Sequence, residues 1–404
     1  MFDSLRSLLQ FREVQLNGLE RRLSRCANVA DIRQLAKSRM PAGVFDYIDG
    51  GAEDERSLRH NSDAFADLTL HPSVLCDVSA VDTTTSILGV ERPTPIVLSP
   101  TGFTRIAHPD GELAVARAAT KYGMPYGLST MGTRSIEELA GVAGAPLWFQ
   151  VYVWKDRGLV TELIQRAAAA GYEAILVTVD TAVLGRRERD VRRGLTLPPK
   201  LGLDTIFDGM RRPRWTFDLL RNEPITFATI AGRQGIDGTS AISLGDYMMD
   251  QFDQGLSWDS LEWIREASDL KVILKGIQRV DDAEKAASIG VDAVALSNHG
   301  GRQIDGAPAP IELVGPVAEA VGDRLDVICD GGIRRGSDVL KAIALGANAV
   351  MMGRPYLYGL GAGGQRGVEW VLDHLVGGLR QTMALCGRRS IAELTGDLVT
   401  RRDR

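Results

Sequence analysis

The chain has 404 residues, 44% of them hydrophobic and 25% charged, with a formal net charge of −5. That length allows one large domain of roughly 250–300 residues plus an appendage, or two ordinary domains. The acidic balance argues against a dedicated nucleic-acid binder, and Cys26, Cys76, Cys329 and Cys386 form no CxxC pair, so neither zinc nor a disulfide framework is indicated.

No run reaches the roughly 18 apolar residues of a spanning helix. The opening stretch MFDSLRSLLQFREVQ is charged throughout and lacks the apolar core of a secretory signal, so it reads as an amphipathic helix packed on its own protein. With scattered cysteines, a cytoplasmic location follows. Residues 1–93 read as a mainly helical lid segment.

From residue 94 to 390 the chain alternates between short apolar runs and helix-compatible stretches. The predicted strands are PIVLSPTG (95–102), PYGLST (125–130), PLWFQVY (146–152), EAILVTVD (173–180), KVILKG (271–276), DAVALSN (292–298), DVICDGG (326–332) and NAVMMGR (348–354). Helical stretches such as GELAVARAATKYG and SDVLKAIALG lie between most of them and often close on Gly. Eight such units predict an α/β protein with a closed (β/α)8 TIM barrel. A doubly wound sheet is the rival, but it wants a dinucleotide fingerprint after its first strand, and SPTGFTRI supplies none. GLGAGG (359–364) matches GxGxxG only formally, because PYLY separates it from the preceding strand; it reads as shaping the approach to the last helix. Residues 181–257 form a long insertion after the fourth strand, and 391–404 a C-terminal tail.

A barrel places chemistry where its strands end. Those ends carry Thr101, Ser129, Gln150 with Tyr152, Thr178 with Asp180, Lys275, Ser297 with His299, Asp330 and Arg354. Any one of these suits a satisfied core polar group; a polar residue on nearly every strand points to one large polar site. Strands seven and eight end in glycines beside arginines (Gly331, Gly332 and Arg334; Gly353 and Arg354), a pattern suited to a phosphate. A ligand reaching from there across the mouth is flavin-sized. Lys275 would place positive charge near a ring that gains electrons.

SNHGGRQ, DGGIRRGSDVLKAIALGA and VDTAVLGRRERD, with FDYIDGGAEDE and SPTGFTRIAHPDGE, resemble the FMN-dependent α-hydroxy-acid oxidase and dehydrogenase family, from about Asp31 to about Leu394. The resemblance implies an FMN-binding barrel that oxidises an L-2-hydroxy acid, with L-lactate the first expectation. It implies His299 as base, Asp180 beside it, and Tyr152 on the substrate hydroxyl. Arg302 and Arg187 clamp the substrate carboxylate, and Tyr47 stands at the pocket lid. Ser129, Gln150, Thr178, Lys275, Ser297, Asp330, Gly331, Gly332, Arg334, Gly353 and Arg354 match FMN contacts, and Thr101 and Gly102 join them at the first strand's end. Met131 stands where plant glycolate oxidases carry tryptophan, which bears on substrate choice. Gly102 stands where oxidases commonly carry alanine, which favours a dehydrogenase.

These residue types suit the chemistry. A 2-hydroxy acid must lose two protons and two electrons, and its carboxylate gives arginine a forked handle. Imidazole titrates near neutrality and can accept a proton at working pH. Alone, His299 would read as a core histidine; two glycines, Arg302 and the strand end reverse that. His60, His71, His108 and His374 lack such company. No metal is expected.

Residues 186–240 hold eleven Lys/Arg against seven Asp/Glu, a net of +4 in an acidic chain. RRPRWTFDLLRNEPITFATI mixes arginines with Trp215 and Phe217, which suits contact of 205–240 with anionic lipid at the inner face of the cell membrane and electron delivery to a quinone. A solvated lid is the alternative. The competing functions are an oxygen-using oxidase, an (S)-mandelate-type dehydrogenase and a non-catalytic flavin scaffold. A homotetramer is the family expectation.

Overall fold

The structure is a computed structural model that describes residues 15–142, 144–193, 203–230 and 250–402. The helix expected over the first fifteen residues falls almost wholly outside this range. Helices α1 (Gly18–Leu23), α2 (Val29–Arg39), α3 (Ala42–Asp49) and α4 (Arg56–Ala66) come first. Asn17 and Asn28 start α1 and α2, their side chains accepting backbone N–H groups that the first turn leaves unpaired.

The helical character expected up to residue 93 ends at Ala66. Leu68–Leu70 is a short strand pairing antiparallel with Val399–Arg401, so the C-terminal segment returns to the chain just after α4. Thr85–Ile87 and Val90–Arg92 form a hairpin. Ile87 buries against Val97, Trp148, Leu176 and Ile273, and Leu88 packs there too, its N–H donating to Asp326 at 2.6 Å; the hairpin thereby plugs the N-terminal end of the barrel.

Eight parallel strands then close on themselves: β1 (Ile96–Thr101), β2 (Tyr126–Ser129), β3 (Leu147–Tyr152), β4 (Ala174–Thr178), β5 (Lys271–Ile277), β6 (Ala293–Leu296), β7 (Asp326–Asp330) and β8 (Ala349–Met352). Each pairs with its sequence neighbour, and β8 returns to β1 through Val350 opposite Ile96. This is the predicted (β/α)8 barrel. Its strands are almost wholly buried because one face packs on helices and the other fills the interior, which is why they read as continuous apolar runs rather than alternating ones.

GLGAGG lies inside the helix Arg354–Leu385 rather than before it. The helix breaks at Gly363 and Gly364, and Gly359 and Gly367 meet backbone to backbone where a Cβ on either would collide with the other's carbonyl. The glycines serve a sharp bend, not a dinucleotide.

Candidate active site

The carboxyl ends of the strands open into a cleft lined by both apolar and polar side chains. Tyr47, Thr101, Gly102, Met131, Tyr152, Arg187, Lys275, His299, Arg302, Asp330, Gly331, Gly332, Arg334, Gly353 and Arg354 all line it. Ser129, Gln150, Thr178, Asp180 and Ser297 do not; they lie beneath or behind the wall and form the supporting hydrogen-bond chains.

One chain runs across β2, β3 and β4. Ser129 Oγ donates to Gln150 Oε1 at 2.9 Å, and Gln150 Nε2 donates to Thr178 Oγ1 at 2.8 Å. The second joins β5, β6, β7 and β1. Lys275 Nζ lies 3.0 Å from Asp330 Oδ2 and 3.2 Å from Ser297 Oγ, and Ser99 and Ser297 both donate to Asp330. Burial works against the charge on Lys275, but Asp330 and Asp180 outweigh it and raise its pKa. A permanent cation therefore sits in the cleft floor.

His299 follows β6 with φ near 57°, and Gly300 and Gly301 continue the left-handed run. A β-unbranched residue followed by two glycines is what lets the chain turn sharply out of the barrel here. The turn brings His299 Nδ1 to 3.1 Å from Asp180 Oδ1, with the Asp180 side chain only 4% exposed. Burial acts to raise the Asp180 pKa; the His299 charge and hydrogen bond, with Lys275, overcome it and hold the carboxyl below its ordinary range. Tyr152 stands nearby with its ring against Phe252, 5.2 Å between centroids, and burial and the Asp180 charge push its phenol pKa up.

The arginines divide between two ends. Arg302 and Arg187 flank the Tyr47 ring, their guanidinium carbons 5.1 and 5.8 Å from its centroid. Burial, then the Arg187 charge, pulls the Arg302 pKa down to about 9. Arg187 has Asp190 at 3.6 Å, whereas among the described residues Arg302, Arg334 and Arg354 have no carboxylate within 4 Å. Half-buried cations without counter-ions mark where anions bind.

The residues fit FMN. Gly332 has φ near 81°, and a Cβ there would fall 2.0 Å from the Asn61 carbonyl, so only a bare backbone forms the turn beside Arg334 and Arg354. Sequence reasoning missed Asn61, Phe103 and Phe252 in the cleft. Phe103, directly after Gly102, had a local signal in its strand-end position; Phe252 belongs to the insertion and had none. The other four histidines stay outside the cleft: His60 bonds Glu312, His71 bonds Thr400, His108 lies against Gly364, and His374 stacks on Trp370.

Residues 36–401 match the profile of the FMN-dependent dehydrogenase family. A Mycobacterium tuberculosis protein provisionally named an L-lactate dehydrogenase is 44% identical over 98% of this chain and 94% of its own length. An L-lactate oxidase of Nostoc is 41% identical over 91% of this chain and 96% of its own. Among solved structures, the monotopic membrane protein (S)-mandelate dehydrogenase superposes with a TM-score of 0.89 at 38% identity, covering 93% of this chain and all of that one. A cleft that pairs uncompensated arginines with an Asp-backed histidine, on a chain this similar throughout, belongs to a member of the FMN-dependent dehydrogenase family, with FMN as its cofactor.

Proposed function

We propose that this protein oxidises L-lactate to pyruvate and passes the electrons to a quinone. The carrying observation is Arg302: a shielded guanidinium without a carboxylate of its own, in the same cleft as an imidazole backed by a buried aspartate. Arg302 and Arg187 bind the substrate carboxylate and fix the α-carbon. Tyr152 donates to the oxygen that becomes the keto group. With Nδ1 turned to Asp180, His299 Nε2 is left to accept a proton, and Asp180 stabilises the imidazolium. FMN, when bound, supplies the two-electron acceptor. Gly331, Gly332, Gly353, Arg334 and Arg354 would hold its phosphate, Thr101 and Gly102 would lie alongside its ring, with Ser129, Gln150 and Thr178 supporting that wall from behind, and Lys275, fixed by Ser297 and Asp330, would face the charge that develops on reduction.

Lactate is favoured by the names of the 39–44% identical relatives. An aromatic acid is the second reading, favoured by the Tyr47, Phe103 and Phe252 rings and by Met131, a pliable side chain, in the cleft lining. Anaerobic mixing with L-lactate, glycolate and (S)-mandelate, followed by flavin bleaching, tests this; fastest bleaching by mandelate overturns the lactate assignment. For the acceptor, Gly102 speaks for a dehydrogenase. Reoxidation by oxygen as fast as by a quinone analogue would refute the quinone assignment.

We place the protein at the inner face of the cell membrane, touching it through 205–240. Helices Leu203–Met210 and Pro213–Arg221 leave Phe207, Met210, Phe217 and Leu220 largely exposed among Arg211, Arg214 and Arg221. Trp215 faces inward instead, donating to the Ile106 carbonyl at 2.9 Å, and pins the second helix to the barrel. Residues 231–240 lie outside the described residues. Among the described residues no helix is long and apolar enough to cross a membrane. Sedimentation with anionic vesicles tests the contact: Phe217→Asp with Leu220→Asp abolishes it, and unchanged recovery refutes it.

A further inference from the structure

The turn at the end of α3 touches both ends of the cleft. Arg302 Nη1 donates to the Tyr47 carbonyl at 2.7 Å and to the Gly50 carbonyl at 3.2 Å. Arg354 donates from Nε to Ile48 at 3.1 Å, from Nη2 to Gly50 at 2.7 Å, and from Nη1 to Gly300 at 2.8 Å. One carbonyl, that of Gly50, accepts from both guanidiniums. These oxygens are free to do so because the last carbonyls of a helix have no N–H of their own helix to meet, and the negative end of the helix dipole favours cations.

The turn is held from behind by charges that never reach the cleft. Asp49 accepts from Arg33 at 2.5 and 2.7 Å, from Arg189 Nη1 at 2.8 Å and from Tyr358 Oη at 2.8 Å. Arg189 also grips Glu55, whose other oxygen takes the Gly51 N–H at 3.0 Å. Asp49 is 5% exposed and no cleft-lining residue. Burial opposes its charge, yet the Arg33, Tyr358 and Arg189 bonds outweigh that and bring the carboxyl down to about 2. Arg189 belongs to the helix Glu188–Arg193 at the start of the insertion, so the cluster ties insertion, α2, α3 and the last helix to one point.

We propose that Asp49 is a positioning residue: by clamping the α3 turn it sets Arg302 and Arg354 on the shared Gly50 carbonyl, and so couples recognition of the substrate carboxylate to retention of the cofactor phosphate. The proposal rests on the roles given above to Arg302 and Arg354. A group that merely supported the fold would change the melting temperature alone.

The test uses holoenzyme variants Asp49→Asn, Asp49→Glu, Arg189→Met and Arg302→Met. The readouts are KM and kcat for the reducing acid, and FMN release on dilution, followed by flavin fluorescence. Asp49→Asn raises KM and speeds FMN release about tenfold each, with kcat within about threefold, because the transition-state groups are untouched. Asp49→Glu recovers most of both. If Asp49→Asn does not fold, Arg189→Met, which keeps the Arg33 pair, shows both effects in smaller measure. Unchanged KM and FMN release in the folded variant, or a fall confined to kcat, overturns the proposal. If Arg302→Met raises KM while Asp49→Asn does not, this proposal alone falls; if Arg302→Met leaves KM unchanged, the reading of the cleft falls and takes the proposal with it.

Discussion

Asp180→Asn tests what the buried carboxylate contributes, because the amide keeps its shape and one accepting oxygen while removing its charge. The side chain is 4% exposed and 3.1 Å from His299 Nδ1, so little water screens the pair. Two unit charges with centres about 4 Å apart interact by about 4 kcal/mol at an effective dielectric of about 20. That interaction exists only once the imidazole has taken a proton, so it lowers the barrier rather than tightening the ground state, and about 4 kcal/mol corresponds to roughly 10³ in rate. Anaerobic stopped-flow mixing with saturating L-lactate therefore gives a flavin-reduction rate constant about 10³ below that of the unaltered protein. The apparent dissociation constant of the acid shifts by no more than about threefold, since Arg302 and Arg187 are intact. A reduction rate lowered less than about threefold, or a loss carried wholly by binding, would refute the assignment of His299 as the proton acceptor and Asp180 as its partner.

Arg302→Lys keeps the charge and loses the fork, so KM rises by about 10² with a smaller change in kcat, read in the same assay. Gly332→Ala forces a Cβ toward the Asn61 carbonyl at φ near 81°, costing at least about 2 kcal/mol in a thermal melt and loosening FMN. Acid stability follows Asp49, whose pKa falls from 3.8 to about 2 on folding. A depressed carboxyl contributes fully above its unfolded value, so about 2 kcal/mol is present above pH ~4 and lost as pH falls toward ~2. Urea melts from pH 5 to 2 show that slope, and Asp49→Asn flattens it.

The barrel was legible because each strand is buried on both faces and so leaves an apolar run in the sequence, bounded by the glycines that turn the chain. The rim was legible for the same reason: a polar residue closing an apolar run, such as Lys275 after VIL or Asp330 after VIC, has few places to point. What escaped depends on contacts distant in sequence. Leu68–Leu70 is a strand only because Val399–Arg401 lies beside it, and Ile87 is a plug only because a closed barrel waits above it. Three-residue strands carry too little pattern to announce themselves. Phe252 enters the cleft through a bridge between its own backbone and that of Trp154, which local composition does not encode. Division of the polar rim into lining and supporting layers also needed coordinates, since Ser129 and Lys275 occupy equivalent strand ends yet only one reaches open space.

The stopper that Ile87 and Leu88 form at the lower end has a bearing on traffic. With that base closed, a molecule in the cleft meets the protein at the carboxyl ends of the strands, the side on which Arg302, His299 and Lys275 stand.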